Sequence, residues 1–161
     1  MTQPHLPSLR RTRNLSVALA AGLLAGVAMP AQLQFNRAED AVKYRQGALF
    51  VLAQHFARIG AMATGRTPYD PKAALEHAEV VASLSRLPLD GFAAGAEKAP
   101  ARARPEVWTE TARFREHNDR FVAESAKLVA AARTNSLDAL KTAFSSTAGT
   151  CKSCHDAYRS N

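Results

Sequence analysis

A chain of 161 residues with 21 Lys and Arg against 14 Asp and Glu has a formal charge of +7, and 47% of it is hydrophobic. That balance raises nucleic-acid binding, but the basic residues are interleaved with acids and no aromatic-rich binding motif accompanies them, so nucleic acid is not expected as a partner. Beyond residue 31 no stretch is long and apolar enough to cross a bilayer, and membrane insertion is not expected either.

Residues 1–31 read as a cleaved signal peptide. Arg10, Arg11 and Arg13 form a basic start, an apolar run from Leu15 to Met29 follows, and cleavage after Ala31 is the favoured site. The Arg-Arg pair admits a twin-arginine reading; the general secretory route is preferred because the C-terminal motif described below is completed after unfolded export. Removing this leader deletes three arginines and no acid, leaving 18 basic against 14 acidic residues and a charge of +4. Residues 32–161 are expected to form one domain.

Four helices follow from periodicity. The first is expected over Ala38–Ala63, with Val42, Arg45, Leu49, Leu52, Phe56 and Ile59 on one stripe. Asp70 and Pro71 give an N-cap and a first helical residue for the second. It is predicted to run to about Leu87 with Ala73, Val80, Leu84 and Leu87 inward, until Pro88 stops it. A connection from Pro88 to Arg104 precedes the third helix, which starts near Pro105. There Val107, Phe114, Phe121 and Leu128 recur every seven residues, with Thr111, Asn118 and Ser125 between them. Asn135 ends it and Ser136 caps the fourth. In that last helix Leu137, Leu140, Phe144, Thr147, Cys151, Cys154 and Tyr158 step by three and four on one face. The short links within the first and second pairs of helices favour antiparallel neighbours.

Cys151-Lys152-Ser153-Cys154-His155 carries the chemistry. Two thiols at this spacing, with a histidine immediately after, read as covalent attachment of a c-type haem. On a helix Cys151, Cys154 and His155 share a face, so a porphyrin edge can bond both sulfurs while the imidazole reaches the iron. A zinc site would need more ligands than these two cysteines offer, and a thioredoxin-like redox pair would need a βαβ context that is missing. Because both cysteines lie on the inward stripe, the haem is expected inside the bundle.

A helical exported domain with this motif near its C-terminal end resembles cytochrome c′, a class II c-type cytochrome. The resemblance extends along the mature chain. It includes Phe35, the run Glu39-Asp40-Ala41-Val42-Lys43-Tyr44-Arg45-Gln46, His55-Phe56, Pro68-Tyr69-Asp70, Arg104-Pro105-Glu106 with Trp108, and Cys151 through Tyr158-Arg159. It implies an all-α, antiparallel up-down-up-down four-helix bundle with one haem c in its core. It further implies thioether bonds from Cys151 and Cys154 and His155 as the axial iron ligand. Arg45, Gln46 and Arg104 would contact the haem propionates, Arg159 would lie on the proximal side, and Leu49 would cover the distal side. Each of these last roles has a plainer rival: a solvated arginine, a surface glutamine, a mobile C-terminal residue, or an ordinary core leucine.

The sixth iron position decides between functions. Met62, the single methionine after the leader, lies thirteen residues beyond Leu49, about 20 Å along a helix. His55 is six residues from Leu49 and turned to another direction, and His77 and His117 read as surface or seam residues. The expected iron is five-coordinate and high-spin under an apolar lid formed by Leu49 and Phe50. The expected function is that of a periplasmic protein for electron transfer, for binding small gases such as nitric oxide and carbon monoxide, or for both. Its partners would be periplasmic redox proteins and, as the resemblance implies, a second copy of the chain, for which Val51 lies off the main stripe of the first helix; a lone exposed apolar residue needs no partner, so the sequence leaves monomer and dimer open. No distal acid–base pair is evident, so the chain does not read as an enzyme. The alternative is a six-coordinate, low-spin class II electron carrier with an unidentified distal ligand.

Overall fold

The capping signals set the helix ends. Asp70 accepts from the backbone N–H groups of Lys72 and Ala73, at 2.9 and 3.1 Å, with Pro71 in the first helical position. Ser136 accepts from Ala139 N–H at 3.2 Å. Each such bond satisfies a donor that the helix itself leaves free, and is worth about 1 kcal/mol.

The computed structural model describes residues 35–160; the expected leader and its cleavage site lie outside them. The helices are α1 (Ala38–Ala63), α2 (Pro71–Leu84), a one-turn α3 (Glu106–Thr109), α4 (Thr111–Arg133) and α5 (Leu137–Tyr158). Two 3-10 turns, Leu87–Phe92 and Ala96–Lys98, sit in the long connection. The four long helices form an antiparallel bundle in which α1 packs on α2 and α5, and α4 packs on α2 and α5. Among the described residues there is no strand, only one bridge between Ala103 and Arg159.

Two buried clusters divide the interior. The first joins Leu52, Ile59 and Met62 of α1, Ala74, Ala78 and Val81 of α2, Leu128 and Ala132 of α4, and Leu140 of α5. Ile59, Val81, Leu128 and Leu140 are fully buried there, each contributing about 1.5–3 kcal/mol. The second cluster joins Val107, Phe114 and Tyr158, with Phe92 and Trp108 packed against them. Helix α1 approaches α5 closely at Gly60, where an added Cβ would lie 2.7 Å from the Phe144 ring. One turn away Phe56 stacks on Phe144 with centroids 4.6 Å apart.

The structure corrects two expectations. Helix α2 stops at Leu84 and buries Ala74, Ala78 and Val81, with Leu84 packed against the same cluster as expected; Ala73 and Val80 are only half-buried, and Leu87 lies beyond the helix and is exposed. The centre of the inner face is shifted from the expected stripe because the small Ala74 and Ala78 let the α2 backbone come close to its neighbours, with Leu75, Val81 and Leu84 packing around them. The third helix is not continuous: at Glu110 the backbone turns to φ −113°, ψ 43°. The break lets Val107 pack with Phe114 and Tyr158 while Trp108 Nε1 donates to the Phe92 carbonyl at 3.1 Å and Tyr158 donates to Glu110 at 3.3 Å.

Candidate haem site

Between the two clusters lies a cavity of about 600 Å³, open on one side. Its walls are Leu49, Phe50, Leu52 and Phe56 from α1, Leu89 and Phe92 from the connection, Phe114 and Phe121 from α4, and Cys151, Cys154 and His155 from α5. The spacing of α5 does what the sequence required of it: the two cysteines and the histidine meet one apolar space. Burial, and after it the neighbouring Cys151, push the Cys154 thiol up to about 11. Burial raises the Cys151 thiol as well. A redox pair needs a low-lying thiolate, so this environment disfavours that reading of the motif. Burial and Arg159 hold His155 below the ordinary imidazole range, with Asp156 opposing them; the neutral ring is the form that ligates metal.

Arg45 has the strongest polar claim on the cavity. It is 3% exposed. Its Nη1 donates to the Gly91 carbonyl, and its guanidinium lies 4.5 Å over the Phe92 ring. Its Nη2 is buried without a partner, and burial lowers its pKa. A buried cation with a free donor on the cavity wall calls for an anion. Gln46 lines the same space from the exposed side of α1. Arg159 also lines it, and it is held in place: Arg104 N–H donates to the Tyr158 carbonyl at 2.9 Å, and Ser160 N–H to that of Arg102 at 2.8 Å.

Arg104 itself does not line the cavity. Its Nη1 is turned to the Asp156 and Ala157 carbonyls, 3.4 Å from each, and covers acceptors that the end of α5 leaves free. Arg102, two residues earlier, lines the cavity instead. Sequence reasoning also missed Asn118, whose buried Nδ2 lacks a partner, and His117, which lines the cavity although it reads as a surface or seam residue. His117 lies 3.4 Å from Ser153 Oγ and edge-on to Tyr158, so it leans on α5. Their positions on α4 mark a helix seam, and only the depth of the cavity distinguishes that seam from ordinary packing. Met62 belongs to the first cluster, and His55 faces His77 across the α1–α2 seam.

The donors and the space fit a haem: paired thiols and an imidazole on one helix, an apolar slot, and a buried guanidinium with a hydrogen-bond donor to spare for a propionate. Fold and site together define a c-type cytochrome of the four-helix-bundle class. The family profile described as Cytochrome C' matches residues 40–159, and the chain belongs to the cytochrome c′ family, whose members bind haem c. It is 42% identical over 127 residues to cytochrome c' of Rubrivivax gelatinosus, covering 78% of this chain and 98% of that one. It is 44% identical over 126 residues to cytochrome c' of Alcaligenes xylosoxydans xylosoxydans, covering 78% and 98%. Among solved structures, a nitric oxide complex of a leucine-to-alanine mutant of cytochrome c prime from Alcaligenes xylosoxidans superposes with a TM-score of 0.75. That match is 41% identical and covers 80% of this chain and 99% of that one.

Proposed function

We propose that the mature chain, freed of residues 1–31, is a periplasmic haem c protein that binds nitric oxide and carbon monoxide at a five-coordinate, high-spin iron and also exchanges electrons with periplasmic redox proteins. Haem c supplies an iron that cycles between two oxidation states and accepts a diatomic ligand. Cys151 and Cys154 would hold it covalently, and neutral His155 would ligate its iron. Arg45 and Gln46 would bind the propionates, Arg159 would flank the histidine side of the cavity, and Leu49 with Phe50 would cover the opposite side.

One observation carries the vacant sixth position. Apart from the motif itself, His117 is the only histidine, cysteine or methionine among the described residues that lines the cavity, and it leans on the same helix that bears His155. An apolar lid gives bound dioxygen no hydrogen bond, whereas neutral diatomics need none. The nitric oxide complex of the Alcaligenes relative supports the gas reading. No distal acid–base pair for O–O cleavage is expected, and no catalytic reaction is proposed. Phe50, 64% exposed, and Val51, 44% exposed, lie on α1 where a second copy would pack.

A second reading has His117 as a sixth ligand in a low-spin electron carrier. Optical and EPR spectra of the purified holoprotein, with and without nitric oxide, separate the two. High-spin ferric signals and ready gas binding, faster still in Leu49→Ala, are expected. A low-spin spectrum that becomes high-spin in His117→Ala would establish the alternative.

A further inference from the structure

Outside the haem cavity, two histidines on different helices converge. His55 of α1 and His77 of α2 place their Nδ1 atoms 3.1 Å apart. Their rings cross at 74° with centroids 5.0 Å apart. Both are half-buried, and neither lines the cavity. Each ring's only hydrogen-bond partner among the described residues is the other. We propose that this pair binds a divalent late first-row transition-metal cation, such as Zn2+, Ni2+ or Cu2+, clipping α1 to α2.

The argument is geometric. Two imidazole nitrogens at about 2.0–2.1 Å from one metal lie about 2.9 Å apart at a square-planar edge and about 3.3 Å apart at a tetrahedral one. The observed separation falls between these limits, and both rings bring their Nδ1 atoms to the contact. Without metal, the contact is an N–H···N hydrogen bond between neutral rings, one supplying Nδ1–H and the other a lone pair. Metal binding needs both lone pairs, so the donor ring moves its proton to its own Nε2. The imidazoles then stay neutral and no net proton is released. Partial exposure leaves the remaining positions to water.

The charged neighbours are engaged elsewhere. Arg58 Nη1 donates to the Gln54 carbonyl at 3.1 Å, and Glu76 lies 3.9 Å from Lys72. Two neutral ligands and water make a site of modest affinity. Its preference follows the general order for nitrogen ligands, with Cu2+ above Ni2+ and Zn2+. The pair is separate from the haem and does not depend on the iron's coordination.

Haem-loaded mature protein, stripped with chelator and dialysed against redox-inactive Zn2+, tests the site. One saturable equivalent is expected, together with a Tm raised by roughly 10 °C at a hundredfold excess over the dissociation constant. His55→Asn and His77→Asn should each weaken uptake at least tenfold, whereas His117→Ala should leave it unchanged. Asparagine retains hydrogen-bonding capacity, so a merely hydrogen-bonded pair predicts no metal-dependent Tm rise in the wild type. Zinc-edge X-ray absorption of the wild type needs no variant and should show two imidazoles in the first shell. Absence of saturable uptake below millimolar Zn2+, uptake indifferent to both asparagine variants, or fewer than two imidazoles at the zinc would overturn the proposal.

Discussion

Gly91 is where the haem site and the stability of the bundle meet. The 3-10 turn Leu87–Phe92 lies so close to α1 that a Cβ built on Gly91 would stand 2.6 Å from Arg45 Cβ, 2.7 Å from the Ala41 carbonyl oxygen and 3.1 Å from Arg45 N. None of these atoms is the end of a flexible side chain. Ordinary carbon contacts begin near 3.5 Å, so Gly91→Ala must lift the turn off α1 by an appreciable fraction of an ångström. Overpacking of this kind costs about 1–3 kcal/mol. The shift also pulls the Gly91 carbonyl away from the Arg45 guanidinium and moves Phe92, which lines the cavity. Gly149 provides the opposite case on α5: it is exposed, and an added Cβ meets nothing within 4 Å. Gly149→Ala should therefore stabilise the protein by about 0.8–1 kcal/mol through helix propensity alone. Urea unfolding of both holoproteins, followed by far-UV circular dichroism, gives the two midpoints. A Gly91→Ala midpoint equal to or above that of the wild type would refute the close-packing argument.

Arg45→Met keeps the bulk of the side chain but removes the buried cation, so ferric haem is relatively favoured and the reduction potential should fall by on the order of 50 mV; potentiometric titration that finds no change would remove the propionate role. Cys151→Ala or Cys154→Ala should leave one thioether, and the double variant should release its haem to acidified organic solvent; retention of haem there would contradict attachment through this motif. In metal-free buffer, burial first, then His55 and Arg58, hold His77 below the ordinary imidazole range, against Glu76. The unfolded chain then binds the proton more readily, so this contribution to stability is present above the unfolded pKa and is lost as pH falls through the folded one. The urea midpoint of His77→Asn should decline less steeply than that of the wild type from pH 7 toward 5, and parallel slopes would contradict the assignment.

What can be read from the chain alone is whatever depends on neighbours a few residues apart. Asp70-Pro71 and Ser136 mark helix starts because a cap acts on backbone groups two or three residues away. The stripe from Leu140 to Tyr158 could be recognised because helical periodicity alone puts Cys151, Cys154 and His155 on one face, and the thiol spacing then names the chemistry. Arg45 stood out because a cation inside an apolar stripe requires an anion. The tertiary structure decided what depends on how the helices are rotated and how closely they approach. Ala74 and Ala78 win the inner face of α2 by being small enough for close contact, which a pattern weighted toward large residues overlooks. The turn at Glu110, the choice of Arg102 over Arg104 at the cavity, the placement of His117 and Asn118 on its wall, and the meeting of His55 with His77 all join groups distant in sequence. Each position depends on the relative register of two helices, which is settled by packing of the whole core and by no local run of residues.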